Sequence, residues 1–151
     1  MENPGVYSLG SFTLTAPGTY VVPIGQELGT GDHLLEGIVA MAAQLTFDYG
    51  AGGGSGVAYL QTSLDQANEG GLAGGTWVDI AAMSFATTPK VVVLNFSALT
   101  PHTTALTPGD GTMTSDTAID GVLGDRFRLK IVSASTAYTG ATSVGGSLVV
   151  R

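Results

Sequence analysis

The chain has no cysteine, and only five of its 151 residues are Lys or Arg. Without cysteine there is no disulfide framework and no thiolate to act as nucleophile or metal ligand. The five cations are Lys90, Arg126, Arg128, Lys130 and Arg151; against 12 acids they leave a net charge of −7. Phosphate backbones are held by counterion release from many basic side chains, so the sequence predicts no nucleic-acid partner. An anionic membrane surface is disfavoured for the same reason. Long apolar runs are missing too, and none approaches the roughly 18 residues of a membrane span. The stretch MENPGVYSLGSF has neither a basic region nor an apolar one, which predicts no signal peptide. Charged residues of both signs make up only 11%, against about 25% in an ordinary globular chain. A helical bundle studded with Glu, Lys and Arg is excluded on that ground.

What is present points to strands. Glycine is plentiful, 23 residues, or about twice the usual share, with no three-residue period that would signal collagen. Hydrophobic residues make up 44%, too many for a disordered chain. A domain of this length can bury roughly 70% of the surface its unfolded chain exposes, so it needs no metal or cross-link to fold.

Residues 1–10 hold Pro4, Gly5 and Gly10 and few apolar anchors, and read as an N-terminal arm on a single domain of residues 11–151. Phe12 and Leu14 alternate with Thr13 and Thr15, and Pro17-Gly18 turns the chain. Residues 19–24 are β-prone, with Pro23 marking an edge. Residues 35–49 alternate at period two, with Val39, Met41, Ala43, Leu45, Phe47 and Tyr49 on one side. A helix competes here, but Gly37 and the lack of a C-cap favour a long half-buried strand. GAGGGSG at 50–56 reads as a flexible hairpin tip. Further strands are expected at 57–64, 76–85, 90–97, 126–132 and 143–150, and the run Val91-Val92-Val93 suits a strand covered on both faces. Residues 98–124 exceed the length of a plain loop. They read as hiding a short strand near 103–106, or as a functional excursion. About eight or nine antiparallel strands with frequent turns make an all-β sandwich or jelly roll.

Catalytic equipment is thin. The two histidines, His33 and His102, fall in loops, and no G-x-S-x-G elbow exists. Two isolated histidines and no cysteine make a poor zinc set. Asp110, Asp116, Asp120 and Asp125 could feed a Ca²⁺ loop, but Asp110-Gly111 and Asp120-Gly121 read better as turn chemistry. The glycine-rich loop lacks the lysine and the helix of a phosphate cradle. No cofactor is expected. Arg126, Arg128 and Lys130 share one phase of a strand whose other phase is Phe127, Leu129 and Ile131. Two readings stand: a solvated strand face, or a docking stripe for an acidic neighbour.

Ser63-Leu64-Asp65 followed by Gly75-Thr76-Trp77 resembles a split Asp-box, in which the acid caps a turn and the Trp packs beneath it. A broader resemblance runs from about residue 56 onward, through YLQTSLDQ, GGTWVDIAAMSF, VVVLNFSALTP and DGVLGDRFRLKIV to the terminal strand. This order is similar to small β-rich virion proteins of tailed bacteriophages, and among them to capsid decoration or cement proteins of jelly-roll type. The resemblance implies a non-enzymatic protein on the capsid exterior, assembled in the host cytoplasm and bound to the major capsid protein and to copies of itself. The expected contact elements are the arm, residues 98–124 and the Arg126, Arg128, Lys130 face. The competing reading is a tail, connector or receptor/carbohydrate-binding sandwich, which would need exposed aromatics from among Tyr7, Tyr20, Tyr59, Trp77 and Tyr138.

Overall fold

The computed structural model describes residues 5–23, 38–65, 74–124, 126–134 and 136–151. It is all-β. Ten strands occur among the described residues: β1 (Gly5–Thr13), β2 (Gly18–Pro23), β3 (Ala40–Asp48), β4 (Ala51–Gly52), β5 (Ser55–Ser63), β6 (Val78–Phe85), β7 (Lys90–Ser97), β8 (Arg126–Ala134), β9 (Tyr138–Thr139) and β10 (Ser143–Val150). They form two four-stranded antiparallel sheets packed as a sandwich, plus the small β4-β9 ladder. Sheet 1 runs β1-β10-β3-β7 and sheet 2 runs β2-β8-β5-β6. The chain therefore folds back on itself in four nested pairs: β1 with β10, β2 with β8, β3 with β7, and β5 with β6.

Period-two alternation builds the core. In β3 the side chains of Met41, Ala43, Leu45 and Phe47 are buried between the sheets while Gln44 and Asp48 are exposed. From sheet 2, Ala58, Leu60, Ile80, Met83, Phe127, Leu129 and Ile131 meet them. Each such large apolar side chain contributes roughly 1.5–3 kcal/mol when taken out of water. An aromatic group closes one end: the Phe47 ring stacks on Phe85 at 4.7 Å and meets Tyr138 edge-on at 5.8 Å.

Several expectations are corrected. Residues 5–10 are no arm: they belong to β1, and Leu9 is buried in the core. A bulge between Ser8 and Gly10 hides this from a period-two reading. Before it the inward residues are Tyr7 and Leu9; after it they are Phe12 and Leu14, so the parity flips. Residues 1–4 lie outside the described residues. GAGGGSG is no free tip, because Ala51 and Gly52 pair with β9. Glycine is required there: a Cβ on Gly53 would lie 2.1 Å from the Tyr138 ring, and one on Gly56 2.3 Å from Phe85. The valine run of β7 is not covered on both faces, since β7 is an edge strand with Val91 and Val93 exposed. No strand forms at 103–106.

Candidate functional site

Both faces of the β5-β6-β8 part of sheet 2 are buried, although only one packs against sheet 1. Antiparallel register aligns Asp79 on β6, Gln61 on β5 and Arg128 on β8 in one row across the outer face. The row is bonded along its length. Gln61 Nε2 donates to Asp79 Oδ1 at 2.6 Å, and Arg128 Nε donates to Gln61 Oε1 at 2.6 Å.

Residues 98–124 fold over this row. The Asp79 carboxylate accepts backbone N–H groups from Gly111, Thr112 and Met113 at 2.8–3.1 Å. Asp110 comes down beside it: its Oδ1 accepts from Gln61 Nε2 and Arg128 Nη2 at 2.9 Å and from Lys130 Nζ at 2.8 Å. Partial burial pushes the Asp110 carboxyl up, but hydrogen bonds from Lys130 and Gln61 and the charges of Lys130 and Arg128 outweigh it. The net effect holds Asp110 below the usual carboxylate range. Farther along, Ala82 N–H donates to Thr117 C=O, Asp116 N–H to Ala82 C=O, and Ile119 N–H to Ile80 C=O. The free edge of β6 is thereby occupied by the chain's own excursion.

Trp77 completes the buried face. Its indole N–H donates to Gly74 C=O at 2.8 Å, and the guanidinium carbons of Arg128 and Arg126 lie 4.2 and 4.9 Å from its ring centroid. Asp65 accepts the Thr76 N–H, and Ser63 Oγ accepts the Asp65 N–H at 3.2 Å, as the capping half of an Asp-box does. The insertion between the two halves, residues 66–73, lies outside the described residues.

The exposed basic stripe is thus corrected. Arg126 is 6% and Arg128 3% exposed, and Lys130 is largely covered as well. The acidic neighbour that Arg128 and Lys130 meet is Asp110 of the same chain, so the stripe is neither a solvated face nor a docking surface. The acids of residues 98–124 serve separately. Asp116, at φ +61°, binds Lys90 Nζ at 2.7 Å and Ser84 Oγ at 2.7 Å. Burial pushes its carboxyl up, but the bonds from Lys90 and Ser84 prevail and hold it low. Asp120 Oδ1 accepts the Ser97 N–H at 2.8 Å. Glycines 111 and 121 do have positive φ, yet Asp110 and Asp120 reach other segments rather than their own turns. Asp125 and His33 lie outside the described residues. Among the described residues no three of His, Asp and Glu are grouped to hold a metal ion.

Composition did not announce the Ser84-Lys90-Asp116 group. Lys90 Nζ is 2.9 Å from Ser84 Oγ, beside a surface cavity of about 500 Å³ that Tyr59, Phe85 and Val132 also line. A general base must hold a free lone pair. Lys90 is one half of an ion pair, and its geometry fastens residue 116 to the sheet. His102 is exposed, with its ring nitrogen bonded to the Asp120 carbonyl.

The outer face of sheet 1 is the opposite case. Three cross-strand rows lie on it: Val91-Thr46-Gly145-Ser11, Val93-Gln44-Ser147-Ser8 and Asn95-Ala42-Val149-Val6. None of these twelve residues is charged; the next row, Asp48-Ser143-Thr13, adds one acid at the margin of the face. Val6, Val91 and Val93 are 73%, 58% and 69% exposed.

Comparison of the chain with protein-family models, with curated proteins and with solved structures finds no match. Among the described residues no helix is long and apolar enough to cross a membrane.

Proposed function

We propose that the chain is a non-catalytic structural protein of a tailed-phage virion, a decoration or cement protein. It docks on the outside of the head through the outer face of sheet 1 and bridges subunits of the major capsid protein. The observation that carries this reading is the twelve-residue uncharged face. Covering it strips no ion of its water, and Ser, Thr, Val and Ala lose little rotamer freedom at a contact. The nested pairs β1·β10, β2·β8, β3·β7 and β5·β6 also suit a jelly roll, the type that the sequence resembles. Binding only the assembled shell would stabilise that shell by mass action.

The receptor or carbohydrate reading has less support. Tyr59, Trp77 and Tyr138 are buried, and Tyr7 and Tyr20 pack half-buried against the core, so these aromatics form no open platform.

Purified particles test the proposal. They should carry the chain at a fixed, high copy number, and particles stripped of it should break at lower temperature. Gln44→Asp, placed in the middle of the face, should abolish binding to stripped particles while leaving the melting temperature of the isolated protein nearly unchanged. A low copy number at one vertex or on the tail, or undiminished binding by Gln44→Asp, would sink it.

A further inference from the structure

Residues 98–124 roof only part of the outer face of sheet 2. They are fastened at Asp79 and follow β6 as far as Ser84, where Lys90, Ser84 and Asp116 clasp the end. Beyond the clasp the outward side chains are short: first the row Ser84-Val57-Val132, then the pair Ser55-Ala134. Short side chains between taller neighbours leave a hollow. They line the cavity of about 500 Å³, with Tyr59, Thr88 and Lys90 around them. That size falls within the ~300–1,000 Å³ of small-molecule sites.

Tyr59 is the group that the fold leaves unfinished. It is 7% exposed, yet its hydroxyl makes no hydrogen bond among the described residues. The one polar side-chain atom sealed there without a partner is Ser133 Oγ. The Tyr59 hydroxyl therefore opens on space, and the space that its side chain lines is this cavity. A buried tyrosine hydroxyl normally finds a partner. Burial and the Asp79 charge push the phenol up, so it keeps its proton and remains a donor.

The rest of the wall defines the chemistry that could meet it. Lys90 has three N–H groups; Ser84 and Asp116 take two, and one is open. The nearby carbonyls are in use: Ala86 C=O accepts the Tyr138 hydroxyl, and Ala134 C=O accepts the Thr136 N–H. The unspent capacity lies in donors. The one positive charge at the wall, Lys90, is matched by Asp116, so an ion of either sign would enter without a counter-charge. The floor, from Val57, Val132 and Ala134, is apolar.

We infer that this cavity binds a small neutral molecule with an apolar body and a carbonyl or ether oxygen, the oxygen accepting from the Tyr59 hydroxyl. The body displaces water from Val57 and Val132, and the oxygen gives the tyrosine the partner that the chain withholds. The cavity lies on the sheet opposite the proposed docking face, so the inference stands whether or not a capsid is the protein's partner.

Methyl NMR of the full chain tests it. Acetophenone should move the Val57 and Val132 methyl signals saturably. Benzoate and benzylamine, of similar size but opposite charges, should bind at least about tenfold more weakly. Toluene, an apolar body without the oxygen, should bind more weakly than acetophenone. Tyr59→Phe removes the hydroxyl alone. It should weaken acetophenone by about two- to tenfold, the net worth of one hydrogen bond, and leave toluene unchanged, a split that a merely structural role would not give. Ala134→Trp, at an exposed position on the wall, should block both ligands without moving Tm. The inference is overturned by the absence of any saturable shift, or by benzoate or benzylamine binding as well as acetophenone. Equal losses of toluene and acetophenone in Tyr59→Phe, or undiminished binding by Ala134→Trp, would overturn it too.

Discussion

Sheet 2 carries Gln61, Asp79, Arg126, Arg128 and Lys130 on its outer phase; sheet 1 carries Val, Ser, Thr, Ala, Gln, Asn and Gly there, with one acid, Asp48, at the margin. The usual expectation would leave the charged face in water and cover the neutral one. Here the charged face is roofed by residues 98–124 and the neutral one is bare. The reason lies in pairing. Buried ions are tolerable only when each finds a partner and its remaining hydrogen-bonding groups are met, and Asp79 and Asp110 meet that condition through Gln61, Arg128, Lys130 and three backbone N–H groups. Once those charges serve to fasten the excursion, few remain for the surface. The comparison teaches that the low charge of this sequence is not spread evenly: it is concentrated under one face and, on the other, confined to Asp48 at the margin.

Substitutions on the two faces should therefore differ sharply. The largest effect is expected at Asp79→Ala, which strands three backbone N–H groups and removes the acceptor of Gln61 Nε2. The loss should be about 3–5 kcal/mol, at roughly 1–3 for each buried donor left unmet, read from urea unfolding. A loss below about 1 kcal/mol would mean that the roof is not anchored there. Trp77→Ala should cost about 3 kcal/mol, near the low end for a buried aromatic, because its ring is packed partly against guanidinium groups rather than wholly in the apolar core. Asp116→Asn keeps a residue that tolerates positive φ but breaks a half-exposed ion pair. It should cost about 1 kcal/mol or less.

Acid should act through Asp110 and Asp116. The folded state holds Asp110 and Asp116 below the ordinary carboxylate value, so it binds their protons less readily than the unfolded chain does. Their contribution is complete above the unfolded value of about 3.9, and it is lost as pH falls from there through the lower folded values. Asp110→Asn should flatten the fall of stability with acid in that window, and an unchanged slope would remove Asp110 from the account. The smallest effect is expected at Gln44→Ala on the bare face, within about 0.5 kcal/mol. A cost several times larger would show that this face is already committed within the single chain.

Much of the sandwich was legible. β7 and β10 fall at 90–97 and 143–150 as read, and the inward phase of β3 from Met41 to Phe47 follows from alternation alone. Alternation fails in two instructive places. In β1 a bulge reverses the parity, so Tyr7 and Leu9 do not line up with Phe12. In β8 the apolar phase of Phe127, Leu129 and Ile131 was plain, but alternation says nothing about what covers the other phase. The cover comes from a segment joined to the strand only at its far end, and its choice of face depends on side chains on β5 and β6. One signal was available: Asp79 is an acid inside the largely apolar run WVDIAAMSF. The bare face of sheet 1 was harder to read, because it comes together only when four strands distant in sequence share a register.

The nesting of the pairs also sets an order of events during synthesis. β5 and β6 are neighbours along the chain and can meet early, whereas Gly5 finds Val150 only after nearly everything between them has been made. Closing wide loops before any contact rewards them is slow, and folds of this kind take milliseconds to seconds. While the ribosome still holds the last strand, β1 and β3 each lack the neighbour that will later sit between them. For that interval a nascent chain presents raw strand margins that the finished molecule hides, and crowding on a polysome is when they are most exposed to mispairing.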